Sequence, residues 1–165
     1  MRFHYLKTLA AAAALTLALG WTAVPAAAEH HVNVTSGLTL AEGPLALRGY
    51  DPVAYFTVGK PTLGSAVHQT KHDGAVYRFA SAANQKAFEA NPGKYTPQYG
   101  GFCAYGVSVA KKFDGDPLVW KIVNNRLFLN LNPDIQKTWE KDVSGNVKKA
   151  DGNWPRIASK PAAAL

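Results

Sequence analysis

The sequence predicts an α+β fold, a small compact domain of two hairpin–helix units, and three observations carry that reading. Two pairs of strand-like runs are each closed by a two-residue turn, Asp73-Gly74 and Asn124-Asn125. A residue suited to cap a helix follows each pair, Ser81 and Asn132. After each cap, apolar residues take up helical spacing. Hairpins followed by helices point to a compact α+β domain.

Residues 29–43 read as a leader or edge segment, polar at first and then punctuated by Gly43-Pro44. Ala66 to His72 and Ala75 to Phe79 flank Asp-Gly, whose two residues tolerate the positive φ of a tight hairpin turn. The Ser81 hydroxyl is placed to accept a backbone N–H, which starts a helix at Ala82. That helix runs to about Ala90, buries Ala87 and Phe88, and ends at Asn91-Pro92-Gly93. The second hairpin joins Leu118–Val123 to Arg126–Leu131. Asn132 then caps a helix with Pro133 at its first position, where the missing N–H costs nothing. Ile135, Trp139 and Val143 share one face of it. Ala158 to Leu165 reads as a frayed tail. No internal repeat and no long low-complexity tract is visible.

Residues 1–28 read as a secretory signal peptide. Arg2 and Lys7 form a basic start, Leu9 to Leu19 an apolar run, and Ala26-Ala27-Ala28 a small-residue cleavage site before Glu29. Residues 29–165 then form a single domain, expected in the periplasm or secreted from a bacterial cell. The whole chain has a net charge of +7, and removing Arg2 and Lys7 lowers it by two. The remaining cations are scattered, with no basic stripe interleaved with aromatics, which argues against nucleic acid as a partner. No further apolar stretch approaches transmembrane length, so no stable membrane insertion of the mature chain is expected.

The run Gly49-Tyr50-Asp51-Pro52-Val53-Ala54-Tyr55-Phe56, then His68, Gly74 to Ser81, Phe88 and Asn91-Pro92-Gly93-Lys94-Tyr95 resembles the YHS domain. The resemblance spans residues 48–97, and Tyr77, His68 and Ser81 match the residues that name the family. It implies a short hairpin-and-helix module of the kind found in metal-transporting ATPases, some multicomponent monooxygenases and small exported proteins. The following Gly-Gly-Phe-Cys-Ala-Tyr-Gly and Phe113-Asp114-Gly115-Asp116-Pro117 resemble one exported subgroup, in some members of which selenocysteine takes the place of Cys103. Metal-associated members carry cysteines where this chain has Ala54, Ala80 and Asn84. Thiolates hold zinc or copper(I), and alanine does not. The metal role therefore does not carry over to those positions.

Cys103 is the sole cysteine. As a candidate catalytic thiol it stands among Gly100, Gly101 and Gly106, whose lack of side chains would admit a substrate. Lys111 and Lys112 would favour the thiolate if they folded back over it. The alternative is a packed sulfur among Tyr95, Tyr99, Phe102 and Tyr105. His68 is the candidate partner of the thiol, as base or co-ligand. His68 and His72 share a face by even spacing, roughly 13 Å apart at strand rise, and His72 reads as an exposed turn residue. Cleavage before Glu29 would place His31 third, where a free amine and imidazole wrap copper(II) in a square of nitrogens; cleavage one residue earlier would place His30 there. The candidate metal ligands are thus His30, His31, His68 and Cys103, with copper as the transition metal. Asp114-Gly115-Asp116-Pro117 lacks the later ligands of a calcium loop and reads as a turn.

The leading expected function is thiol redox chemistry at Cys103, with a small molecule or external thiol as partner. The alternatives are a metal-binding or metal-handling protein without turnover, and a non-catalytic envelope interaction module.

Overall fold

The computed structural model describes residues 31–35 and 43–165. The expected signal peptide and His30 lie outside the described residues. Two sheets and a set of helices confirm the α+β class. The first sheet has the order β1 (Val34–Thr35), β2 (Leu45–Ala46), β4 (Ala75–Phe79), β3 (Ser65–His72), and its central β2–β4 pair is parallel. Between β2 and β3 lies the short helix α1 (Ala54–Thr57). The second sheet is the hairpin of β5 (Asp116–Val123) and β6 (Arg126–Asn130).

Both turns form as the sequence dictates. Asp73 and Gly74 have φ of 48° and 77°, and Asn124 and Asn125 have 50° and 59°. That left-handed pair matches the twist of a two-residue hairpin. The caps form as well. Ser81 Oγ accepts from Asn84 N at 3.1 Å and opens α2 (Ala82–Ala90); Asn91 then caps α3 (Pro92–Tyr95). Asn132 Oδ1 accepts from Ile135 N at 2.9 Å and opens α5 (Pro133–Glu140), while α4 (Ala104–Ser108) precedes the second hairpin.

Three expectations need correction. Asp114-Gly115-Asp116-Pro117 is not a turn: Asp114 bridges Phe102 and β5 begins at Asp116, so the strand takes up the segment. Val143 does not continue the helix of Ile135 and Trp139. That helix stops at Glu140, and Asp142 caps a new one, α6 (Val143–Ile157), by accepting from Gly145 N at 2.9 Å. Gly145, Gly152 and Pro155 hide α6 from helix propensity. Tertiary contacts hold it instead: Ala150 and Ile157 are buried, and Asn153 Nδ2 donates to the Val107 and Ser108 carbonyls at 3.0 Å each. The tail is not simply frayed either, since Leu165 packs against the second of two apolar clusters.

Strand β6 divides those clusters. Leu127 and Leu129 face the first, with Val53, Tyr77, Phe79 and Phe88, while Phe128 faces the second, with Tyr99, Phe102, Trp139 and Ile157. The two-residue alternation of a strand thus lets one element wall both cores.

An internal repeat, not read from the sequence, emerges from the backbone. Each hairpin joins an eight-residue to a five-residue strand, and the second follows the first at an offset of 51 positions throughout. Ser65 pairs Phe79 and Gln69 pairs Arg78; Asp116 pairs Asn130 and Trp120 pairs Leu129, so both bulges coincide. The same offset relates the caps Ser81 and Asn132, and Asn91 and Asp142. In the turn before each short helix the offset is 52: the positive-φ run Leu47, Arg48, Gly49 matches Tyr99, Gly100, Gly101, and Tyr50 N donates to Leu47 O as Phe102 N does to Tyr99 O; Gly59 and Ala110 are again 51 apart. Gly64 lies against Arg78, and Gly115 against Leu129, again 51 on. Gln85-Lys86-Ala87-Phe88-Glu89 and Gln136-Lys137-Thr138-Trp139-Glu140 are the clearest shared residues. The region C-terminal to the 48–97 module therefore repeats its architecture.

Candidate functional site

Cys103 is 1% exposed. It stands before α4, where its sulfur accepts from Gly106 N at 3.4 Å and its S–H faces Asn130 Oδ1 at 3.7 Å. Burial pushes the thiol pKa up, and N–H groups of Gly106, Leu131 and Tyr105 offset this only in part. No histidine or lysine is among the groups acting on the sulfur. His68 lies on the edge strand of the other sheet, in the bulge between Ser65 and Gln69. His68 therefore has no partner in the β3–β4 ladder, whereas His72 pairs with Ala75. His72 is half-buried rather than exposed, its ring edge-on to Phe88 at 5.6 Å and its Nε2 3.3 Å from Asp73.

The lysines do not fold over the thiol. Lys111 is exposed. Lys112 is buried and donates to the Ala158 and Lys160 carbonyls at 2.9 and 2.8 Å, above the Phe102 ring at 4.6 Å. The glycines do not open a path to the sulfur either. A Cβ on Gly100 would stand 1.7 Å from the His31 carbonyl oxygen, and one on Gly106 would stand 2.8 Å from the Phe113 ring. The chain's own atoms take up the space. Asn33 seals this contact, donating from N to Gly100 O at 2.8 Å and from Nδ2 to Gly101 O at 3.2 Å.

A buried carboxylate is the hub of the first repeat. Asp51 is 0% exposed. Its Oδ1 accepts from Val53 N and Ala54 N at 2.8 and 3.3 Å, and its Oδ2 from Ala80 N and Asn84 Nδ2 at 2.8 and 2.6 Å. Positions 54, 80 and 84, where the resemblance would place thiolates, thus do converge. They converge on a carboxylate already supplied with donors, and two of them are alanines, so the residues present do not fit a bound metal. Cys103 takes the corresponding place in the second repeat, 52 positions on, because the register of the preceding turn is one residue longer than that of the hairpins. Its sulfur meets the N–H groups two and three residues ahead, Tyr105 and Gly106, and that of Leu131, which is Ala80 plus the repeat offset. Among the described residues, no three His, Cys, Asp or Glu side chains gather to hold a metal ion. His31 is exposed at the rim of the cleft described next.

The concave site with convergent polar groups lies elsewhere. A cleft of about 680 Å³ opens between the tip of the first hairpin, the 97–100 turn and α6, and Cys103 is not in its lining. Tyr77, Tyr99 and Trp154 supply aromatic walls. Along one side Arg126 grips Asp151 with two hydrogen bonds of 3.0 and 2.6 Å, Tyr99 O–H donates to the same carboxylate at 2.8 Å, and Arg126 Nε donates to Gln98 at 2.9 Å. The Arg126 hydrogen bonds hold the Asp151 carboxyl below its ordinary pKa; burial, then the Asp151 contact, pushes the Tyr99 phenol up. Sequence reasoning missed this network because its members come from a turn, a strand and a helix with no local motif.

Comparison with protein-family models, with curated proteins and with solved structures returns no match for this chain. Among the described residues, no helix is long and apolar enough to cross a membrane.

Proposed function

We propose that the chain is an exported bacterial protein of YHS-like type that acts as a non-catalytic interaction module. It holds a small molecule or peptide segment in the aromatic cleft beside Tyr99, Asp151 and Arg126, and Cys103 is a packed structural thiol. The burial of the sulfur carries this reading. A redox thiol must reach its partner and ionise near neutral pH, whereas Cys103 is enclosed and its pKa is raised. The cleft is of ordinary ligand-site size, with apolar walls and a few placed polar groups.

Titration of native protein with a disulfide reagent such as dithionitrobenzoate tests it. The expected result is no fast reaction at pH 7.5 in buffer and one thiol per chain after unfolding in guanidinium. Rapid stoichiometric reaction of the native protein would return the redox reading to first place.

A further inference from the structure

The repeat places a second cleft where the first repeat has its own. Asp73, Tyr77 and Thr96 line the first cleft; Asn124, Phe128 and Val147, each 51 positions on, line another of about 500 Å³. The two share Arg126 and Asp151 as a common ridge. The chemistry of the second differs. Val123, Val143 and Val147 form its apolar sides above Phe128, and Lys148 stands at its rim. Val143 and Val147 are one helical turn apart on α6, as are Ser144 and Lys148, so α6 offers an apolar wall with a polar lip.

The charge of this lip is positive. Asp151 is answered within the protein by two N–H groups of Arg126 and by Tyr99 O–H. Arg126 itself lies over the Phe128 ring at 5.1 Å. Asp142, at the start of α6, caps Gly145 N and takes the Ser144 hydroxyl at 3.4 Å. Lys148 is exposed and makes no ion pair with another described residue. An occupant must therefore bring an apolar body for the valines and a single negative charge for Lys148.

We propose that this second cleft binds an amphiphilic monocarboxylate, a chain- or ring-bearing acid whose hydrocarbon lies on Val123, Val143, Val147 and Phe128 and whose carboxylate meets Lys148. It rests on the reading of the chain as a binding module, and the thiol titration tests that reading separately. An inert thiol with no binding in the assay below overturns this site and leaves the module reading standing.

The test uses the mature chain, labelled with nitrogen-15, titrated with decanoate below its micelle concentration. Decanoate binds one to one, with amide shifts confined to residues 123–128 and 143–151. Uncharged decanol binds about five-fold more weakly, the worth of one partly exposed ion pair. Lys148→Gln, on an exposed position that leaves the fold intact, brings decanoate down to the affinity of decanol. Lys148→Glu reverses the preference, so that decyltrimethylammonium binds better than decanoate. Shifts scattered over the surface, equal binding of the acid and the ammonium to the unmodified protein, or indifference to both Lys148 changes would each overturn the proposal.

Discussion

At the scale of single residues, Asp51 shows how little the identity of a side chain says until its donors are known. Next to Pro52 it reads as a turn or cap, and it does cap α1. The remaining oxygen, however, crosses to Ala80 and Asn84, 29 and 33 residues away. Nothing local announces that reach. Removing the carboxylate would strand buried N–H groups, each a cost of roughly 1–3 kcal/mol when left unmade. Asp51→Ala is therefore expected to destabilise the fold by about 3 kcal/mol or more, read as a lower urea midpoint with an unchanged slope. A loss below about 0.5 kcal/mol, the size of an ordinary surface change, would show that the carboxylate is not the hub. Cys103 carries the parallel lesson. Its aromatic and glycine neighbours are visible in the sequence, but whether glycines admit a ligand or the chain's own backbone is decided only by packing.

At the scale of elements, both hairpins and the caps of α2 and α5 were legible because local stereochemistry settles them. Asp-Gly and Asn-Asn accept positive φ, and Ser81 and Asn132 offer an oxygen to an unpaired N–H. The residues that were not legible depend on partners far along the chain. Helix α6 contains three poor helix residues and is held by Asn153, Ala150 and Ile157 reaching other elements. The cleft network joins positions 99, 126 and 151, none of which forms a motif with its sequence neighbours. His68 falls in a bulge because the pairing partner, not the strand itself, sets where the ladder slips. Segment 31–35 belongs to the same class, an element held by contacts with residues far along the chain. Gly100 has φ of 62° and the His31 carbonyl in the place of a side chain. Gly100→Ala is expected to cost roughly 2 kcal/mol or more and to release the segment, making the bonds after residue 31 sensitive to limited proteolysis. Unchanged protection of that segment would refute the latch.

At the scale of the whole molecule, the duplicated architecture leaves one cation with a structural task that neither hairpin explains. Lys112 leaves the second repeat to hold the carbonyls of Ala158 and Lys160, so it ties the α4 end of the domain to the tail beyond α6. Burial lowers its pKa from 10.5 to about 8. Between those values the unfolded chain still binds the proton that the folded chain has released. Stability therefore rises with pH from about 8, at a slope of at most about 1.4 kcal/mol per pH unit. The gain is short-lived. Burial raises the Cys103 thiol and the Tyr55, Tyr77 and Tyr99 phenols above their ordinary values. Once the pH passes 9, the ordinary thiol value, the unfolded chain begins to ionise groups that the fold keeps protonated, and stability falls. A thermal-midpoint series across this range should thus show a rise from pH 8 followed by a decline. Lys112→Met keeps the apolar stem over Phe102 while removing the titrating group, so it should abolish the rise and preserve the decline. A rise that survives in Lys112→Met would assign the alkaline gain to some other group.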